Sequence, residues 1–352
     1  MKLRCWWMLV LLPVPALAAD DPATLFDRGF LRRAGTLCEQ RLAANPNDAV
    51  AAAFLSRVRA DQGQLDEAIR LATSAVAADA KSADAQYALS EAQGRKAQSV
   101  GMLRAAGYAG KLKKSAEAAL ALDPRHVDAL EILVDFHRKA PGIMGGDKKK
   151  AAEYLERLMQ VDPAAGWLKQ ASIAFGDKDT TQGGQCYERA FAQAPQSGRA
   201  AVALASWLAP RWRDPARAEK LALQVTQQEP WRVGGWQVLA ALYAFQDRWD
   251  ELESVLQRSE ASEPTHLAAW FQAGRQLVVN GKEPARAERY LRHYLSREPE
   301  IGGPSAAAAR WRLGQALEKQ GRTAEATAEI AAAVKADPKL EDAKKDLKRL
   351  KG

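Results

Sequence analysis

The chain has 352 residues, of which 47% are hydrophobic and 27% charged, and its formal net charge is +8. This composition can bury a continuous apolar core, so it excludes an intrinsically disordered protein, and the mild positive charge gives little support to nucleic-acid binding. Alanine dominates the hydrophobic residues while aromatic residues make up only 7%, which favours closely packed helices and an all-α fold.

The first segment has the pattern of an export signal. Lys2 and Arg4 precede a short apolar run that ends at Leu17, and small residues flank a cleavage point after Ala18. The run is too short to span a bilayer as a stable helix, which needs about 20 apolar residues. We therefore predict a cleaved signal peptide at residues 1–18 and a periplasmic or secreted location of the Gram-negative type. An uncleaved inner-membrane anchor is the alternative.

The rest of the chain, residues 19–352, repeats with a period near 34 residues. Most units end in an acidic or small residue followed by proline, and the unit Ala49–Ala80 has alanine where the proline would stand. The prolines are Pro46, Pro124, Pro163, Pro195, Pro230, Pro264, Pro299 and Pro338. A repeat of this length is typical of stacked helix pairs, none of which can bury its apolar stripe alone.

The unit Ala307–Leu340 shows the pattern most clearly. It has Leu313-Gly314 in its first helix, Gly321 at the turn and Pro338 at its end. This arrangement resembles the tetratricopeptide repeat (TPR). The resemblance implies a right-handed superhelical solenoid of about nine helix-turn-helix repeats, the first of them truncated, with a capping helix at 341–350.

Two regions of different regularity follow from the alignment of the units. The half at 198–340 matches the repeat closely, whereas the half at 19–197 departs from it. The third repeat has about ten additional residues around 99–110, the fourth has the insertion Ala140–Gly146, and the unit Gly166–Pro195 is short and poorly matched. The segment from Ala140 to Ala151 is similar to one in exported proteobacterial TPR proteins of unassigned activity.

No catalytic or metal-binding motif is recognisable. The glycines of 142–146 lack the Gly-Lys-Ser/Thr order of a phosphate loop, and the lysines that follow are expected to form a solvated helix face. The four histidines have no second ligand at chelating spacing, and Cys186 falls on the apolar face of a helix. We predict neither an enzyme nor a bound cofactor or metal.

Two cysteines, Cys38 and Cys186, remain after removal of the signal. In a linear solenoid they would lie about four repeats apart, beyond the Cα separation of about 7 Å that a disulfide tolerates. Two buried, unpaired thiols are expected.

The TPR resemblance implies that the first helix of each repeat lines a concave groove. The groove positions in this sequence include Tyr87, Arg95, Arg138, Gln237 and Phe245. The principal candidates for partner contact lie further along, at Phe271, Arg275, Trp311 and Gln315. Aromatic side chains beside arginine are common binding anchors. The alternative is that these aromatic side chains only cover the seam between repeats.

These features predict a non-catalytic scaffold or adaptor that binds a peptide or helix of an envelope protein. The alternative is an accessory protein of envelope transport or polysaccharide export that binds a small ligand or glycan. An open groove of mixed charge favours the first, and a closed apolar pocket favours the second. We expect neither nucleic-acid binding nor stable membrane insertion of the processed chain; the sequence leaves the oligomeric state open.

Overall fold

A computed structural model describes residues 21–210 and 213–352. Within these residues there are nineteen α-helices and no strand, which confirms the all-α solenoid. The predicted signal peptide at 1–18 lies outside the described residues and remains a prediction.

The helices form nine consecutive pairs and a final helix. The first helices of the pairs are α1 (Pro22–Asp27), α3 (Ala49–Asp61), α5 (Ala83–Ser99), α7 (Val127–Lys139), α9 (Pro163–Gly176), α11 (Gly198–Leu208), α13 (Val233–Phe245), α15 (Ala268–Asn280) and α17 (Ala306–Lys319). The second helices are α2 (Leu31–Ala44), α4 (Leu65–Ala78), α6 (Met102–Leu122), α8 (Lys148–Val161), α10 (Thr180–Gln193), α12 (Pro215–Gln228), α14 (Trp249–Ser262), α16 (Pro284–Leu295) and α18 (Thr323–Ala336). The final helix, α19 (Glu341–Leu350), is the predicted cap.

Helix boundaries follow from capping residues and glycines. Asp48 and Ser82 cap α3 and α5, because their side chains accept hydrogen bonds from backbone N–H groups of the first turn. Gly63 and Gly321 follow first helices with φ near +76°, a left-handed conformation that glycine adopts without strain. Since such signals recur in most units, the chain folds into short antiparallel pairs.

Small residues bring the two helices of a pair close together. A Cβ atom added to Gly314 would lie 2.4 Å from a side-chain carbon of Ile330, so α17 and α18 touch where the sequence places the Leu-Gly signature. Leu313 and Ala326 are buried in the same pair. The core therefore continues from one pair to the next along the stack.

The fifth pair corrects one sequence expectation. The unit Gly166–Pro195 was expected to be short, yet α9 and α10 each have 14 residues. The sequence pattern places the start of this unit too late, because Asp162 is both the C-terminal cap of α8 and the N-terminal cap of α9. No turn therefore separates the two helices. A proline at the first helical position, Pro163, starts α9 directly.

The solenoid closes on itself. The turn between α1 and α2 and the start of α2 contact the three loops that precede α13, α15 and α17, around Trp231, Glu263 and Glu300. The guanidinium carbon of Arg28 lies 4.6 Å from the centre of the Trp231 ring, and Phe30 and Leu31 share an apolar cluster with Trp231.

Hydrogen bonds also join the start of α2 to the loop that precedes α17. The backbone N–H of Arg32 donates to the Glu300 carboxylate over 2.9 Å, and its guanidinium donates to the Pro299 carbonyl over 2.7 Å. Glu300 is only 5% exposed, and burial raises the pKa of its carboxyl. The stack is therefore not linear, because the start of the first pair meets the loops that precede the seventh, eighth and ninth pairs.

Candidate interaction groove

First helices of neighbouring pairs contact one another and line one side of the stack, as between α3 and α5, α11 and α13, and α13 and α15. In a stack of helix pairs this side is concave. We call it the concave face. Its two halves differ in how their charges are balanced.

In the N-terminal half, Arg57 is the centre of a polar cluster. Its guanidinium lies 3.0 Å from the Glu91 carboxylate and 3.4 Å from that of Asp128. It also stacks on the predicted groove residue Tyr87, with 5.0 Å between the guanidinium carbon and the ring centre. Three first helices, α3, α5 and α7, are thus tied together by one side chain.

Two further predicted groove residues are engaged within the fold. Arg95 lies 2.6 Å from Asp61 and 3.0 Å from Glu91. Arg138 donates two hydrogen bonds of 3.0 Å to the carboxylate of Asp177. Neither arginine is left with an unbalanced charge.

The same balance continues to α9 and α11. Lys169 is 9% exposed, and its ammonium group lies 3.1 Å from Asp135 and 3.6 Å from Glu131. Arg199 reaches the second carboxylate over 3.4 Å. The N-terminal half of the concave face is therefore a ladder of internal ion pairs.

The first helix, α1, covers part of this ladder. The Phe26 ring lies 4.1 Å from the guanidinium carbon of Arg57 and 5.7 Å from the Phe54 ring. Burial raises the pKa of Asp27, the last residue of α1, although the nearby charge of Arg57 opposes the rise. An incoming partner would have to displace α1 to reach Arg57.

The C-terminal half contains a cleft of about 470 Å³ over α11, α13 and α15. Apolar side chains and glutamine amides form its walls. They include Val202, Leu242, Phe245, Gln237, Gln272 and Gln276. Gln237 and Phe245 are groove positions that the repeat register predicted. We call this site the Arg275 cleft, after the cation that also lines it.

Arg275 differs from the cations of the ladder. Within the described residues it forms no ion pair or hydrogen bond with a carboxylate. A second cation, Arg312, lies close enough that the charge of Arg275 adds to burial in lowering the pKa of the Arg312 guanidinium. The cleft therefore combines apolar walls with unneutralised positive charge.

The other predicted anchors hold the fold together. Phe271 is only 7% exposed and packs against the ring of Tyr294, with 5.4 Å between the ring centres. Trp311 and Gln315 each donate a 2.8 Å hydrogen bond to the carboxylate of Asp346 in α19. Phe271 thus covers the seam between repeats, and the other two bind the capping helix.

Sequence reasoning missed Arg312, which stacks over Trp311 with 3.9 Å between its guanidinium carbon and the ring centre. It also missed Asp346. A signal for Asp346 was available, since it is an acid on the inner side of an amphipathic helix whose outer side is rich in lysine.

Residues considered for catalysis lie in the core. Cys38 and Cys186 are buried in different pairs, and burial raises the pKa of each thiol, that of Cys38 to about 12. Burial also lowers the pKa of His137, which is 1% exposed. Across residues 21–210 and 213–352, no three histidine, cysteine or acidic side chains are grouped so as to hold a metal. In the same ranges no helix has the length and apolarity needed for a membrane span.

Comparison with known proteins agrees with this architecture. Residues 271–341 match the family model of the tetratricopeptide repeat. Yeast Tom70 superposes on the chain with a TM-score of 0.53 at 14% identity, covering 95% of this chain and 82% of Tom70. No match was found among curated proteins.

Two other solved TPR structures are similar over different lengths. A thermophilic TPR protein of Thermus thermophilus has a TM-score of 0.46 at 22% identity, covering 53% of this chain and 95% of its own. A TPR protein of Parabacteroides merdae has a TM-score of 0.35 at 15% identity, covering 94% of this chain and 96% of its own.

The fold and the concave face define an α-helical solenoid of stacked pairs. Residues 271–341 match the tetratricopeptide-repeat family, and the fold of the described residues is that of a TPR solenoid. Proteins built from such repeats generally mediate protein–protein interactions and are typically non-catalytic scaffolds.

Proposed function

We propose that this chain is a non-catalytic scaffold of the cell envelope that holds a segment of a partner protein in the Arg275 cleft. The observation that carries the proposal is the contrast between the two halves of the concave face. Arg57, Arg95, Arg138 and Lys169 all have carboxylate partners within the fold, whereas Arg275 has none among the described residues.

The chemistry of the cleft indicates the kind of segment it binds. A guanidinium group forms its strongest hydrogen bonds with a carboxylate, which it can bind through two parallel N–H groups. Phe245, Val202 and Leu242 supply apolar walls nearby. An extended or helical segment with one acidic residue beside one bulky apolar residue satisfies both features.

Peptide selection on the purified protein tests this assignment. A displayed random-peptide library should yield sequences that combine an acid with a large apolar residue. Arg275→Glu should reverse the charge preference, so that lysine or arginine replaces the acid. Arg125→Glu is the matched control, because Arg125 is an exposed arginine of an inter-repeat turn and makes no side-chain ion pair. Selection of the same peptides by the wild type and Arg275→Glu would refute the role of Arg275.

The envelope location rests on residues 1–18 and needs its own test. The positive start and short apolar run of this segment support export. Fractionation of host cells should recover the protein, shortened at its N-terminus, from the periplasm or the medium. Recovery of the uncleaved chain from the cytoplasm would contradict the location and leave the cleft assignment standing.

A glycan or other small polar ligand is the second candidate for the same cleft. The amides of Gln237, Gln272 and Gln276 can hydrogen-bond to hydroxyl groups, and about 470 Å³ suits a small ligand. Binding to an array of glycans that Arg275→Glu leaves unchanged, together with failure of the peptide selection, would favour this candidate.

A further inference from the structure

Both insertions of the N-terminal half lie at turns between the two helices of a pair. These turns share one edge of the solenoid, because first helices run toward that edge and second helices run away from it. The residues around 99–110 lengthen the third pair, since α6 has 21 residues whereas α4, α8 and α10 each have 14. The additional length is about 10 Å at 1.5 Å per residue.

The second insertion lies beside this projection. Residues Gly142–Met144 form a 3-10 turn, and Gly145 with φ +91° leads out of it. Met144 packs against the small apolar cluster of Ala109 and Phe136, which places the turn against α6. Together the two insertions line a mainly apolar cleft of about 320 Å³.

Three apolar side chains project from these insertions into solvent, and no other part of the described structure covers them. Among the described residues, the most exposed large hydrophobic side chains are Ile143 at 96%, Leu103 at 95% and Met102 at 80%. Exposed apolar side chains that cluster at one place mark a contact site more reliably than scattered ones.

The two inserted segments and the residues beside them in the sequence are strongly basic. Residues 92–116 contain six lysines and arginines and no acid. Residues 137–151 contain five lysines and arginines and one acidic residue, Asp147. The Asp147 carboxylate accepts hydrogen bonds from backbone N–H groups in the first turn of α8. Six of these cations are exposed and form no ion pair within the described residues: Arg104, Lys111, Lys114, Lys148, Lys149 and Lys150.

We propose that this edge docks the protein on an anionic phospholipid surface. The docking edge comprises Met102, Leu103 and Ile143, which enter the interface, and the unpaired cations Arg104, next to Leu103, and Lys148, Lys149 and Lys150, in the first turn of α8, which bind lipid phosphates. Protruding aliphatic tips suit a bilayer interface, where apolar groups are buried about 5–10 Å deep. The charge is complementary, since each lysine or arginine near an anionic bilayer contributes about a fivefold gain in binding. The Arg275 cleft lies on the concave face and takes no part in the docking.

Vesicle flotation tests the proposal with the full chain. The probes are vesicles of phosphatidylcholine alone and vesicles that also contain phosphatidylglycerol. The wild type should bind the anionic vesicles more tightly, and added salt should weaken the binding. The double variant Leu103→Asp, Ile143→Asp and the triple variant Lys148→Gln, Lys149→Gln, Lys150→Gln should each bind on the order of a hundredfold more weakly.

Matched controls come from elsewhere on the solenoid. Val279→Asp changes another exposed apolar residue, and Lys339→Gln, Lys348→Gln, Lys351→Gln remove three exposed lysines without ion pairs. Both should bind as the wild type does, and unchanged circular dichroism should confirm that every variant is folded. Residues 1–18 are common to all proteins, so any binding caused by them cancels in the comparison.

Three outcomes would overturn the proposal. The first is equal binding of the wild type to neutral and anionic vesicles. The second is equal loss of binding in the matched controls. The third is no binding of the wild type to anionic vesicles, which would make an acidic protein surface the better occupant of this edge.

Discussion

His137 is a buried, polar residue for which the fold provides no hydrogen bond. Neither ring nitrogen has a partner within the described residues, and the ring stacks on Tyr154 with 5.6 Å between centres. Burial lowers its pKa, and the positive charges of Lys113 and Lys150 lower it further. The unfolded chain therefore takes up a proton at a higher pH than the folded chain does.

This difference predicts that the protein becomes less stable as the pH is lowered. The free energy of unfolding should decrease as the pH falls through the ordinary histidine value of about 6.5 toward the lower value in the folded protein. His137→Phe should flatten this dependence in urea titrations. The slope should not vanish, because burial also lowers the pKa of His266. An unchanged slope in His137→Phe would show that His137 is not the titrating group.

Two helical glycines should respond oppositely to substitution by alanine. Gly314→Ala places a methyl group 2.4 Å from Ile330 and should lower the free energy of unfolding by about 1–3 kcal/mol. Gly110→Ala meets no atom within 4 Å and should raise it by about 0.5–1 kcal/mol, since alanine is the better helix former. Chemical denaturation measures both, and destabilisation of similar size in each would contradict the packing argument.

At the scale of elements, α19 is held on α17 by polar contacts, chiefly those of the Asp346 carboxylate. Asp346 accepts hydrogen bonds from Trp311 and Gln315, and Arg349 of α19 pairs with Glu318 of α17. Burial of Asp346 raises the pKa of its carboxyl, but these hydrogen bonds outweigh the effect and hold the pKa below its ordinary value. Its stabilising contribution is therefore present at neutral pH and is lost as the pH falls below about 4.

Removal of this carboxylate should loosen the cap. Asp346→Ala should lower the free energy of unfolding by about 2 kcal/mol, because two donors lose a charged acceptor. Asp342→Ala is the control, since Asp342 forms only an exposed pair with Lys345 and should change stability by less than about 0.5 kcal/mol. Equal effects would mean that Asp346 does not hold α19 in place.

At the scale of the whole molecule, closure between the first turn and the later loops is the main departure from a linear stack. The Arg28 guanidinium lies over Trp231 at this contact, at 4.6 Å. Trp167 has a similar arrangement under Arg189, also at 4.6 Å, away from the closure. The two tryptophans therefore provide a matched pair.

Trp231→Ala should open the closure. Amides of α1 and α2 should exchange hydrogen roughly 10- to 100-fold faster, because their protection depends on contacts with distant loops. Trp167→Ala should leave exchange in α1 and α2 unchanged. Hydrogen-exchange mass spectrometry distinguishes the two variants. Unaltered protection of the α1 and α2 amides in Trp231→Ala would contradict the closure.

The sequence was sufficient for the helix pairs because their signals are local. Gly314, Gly321 and Pro338 stand at positions of their unit where the other units often have the same residue type. The pairing of the helices could therefore be predicted without knowledge of distant contacts. Closure could not be predicted in this way, since it joins Leu31 to Trp231, which lie 200 residues apart in the sequence.

The candidate site was predictable in part for a related reason. Repeat register placed Arg275 and Phe245 on the concave face, and both line the cleft. Register alone could not reveal that Phe271 packs into the seam or that Trp311 is bound by α19, because those outcomes depend on Tyr294 and Asp346 in neighbouring elements.

Photo-crosslinking in the host cell tests the central claim most directly. A photoreactive phenylalanine analogue would replace Gln237 or Gln272 in the Arg275 cleft, or Lys220 on the exposed side of α12 as the control. The account predicts one specific protein adduct from both cleft positions, its loss on Arg275→Glu, and no such adduct from Lys220. An adduct that forms equally from Lys220, or that persists in Arg275→Glu, would contradict the claim that the Arg275 cleft holds the partner.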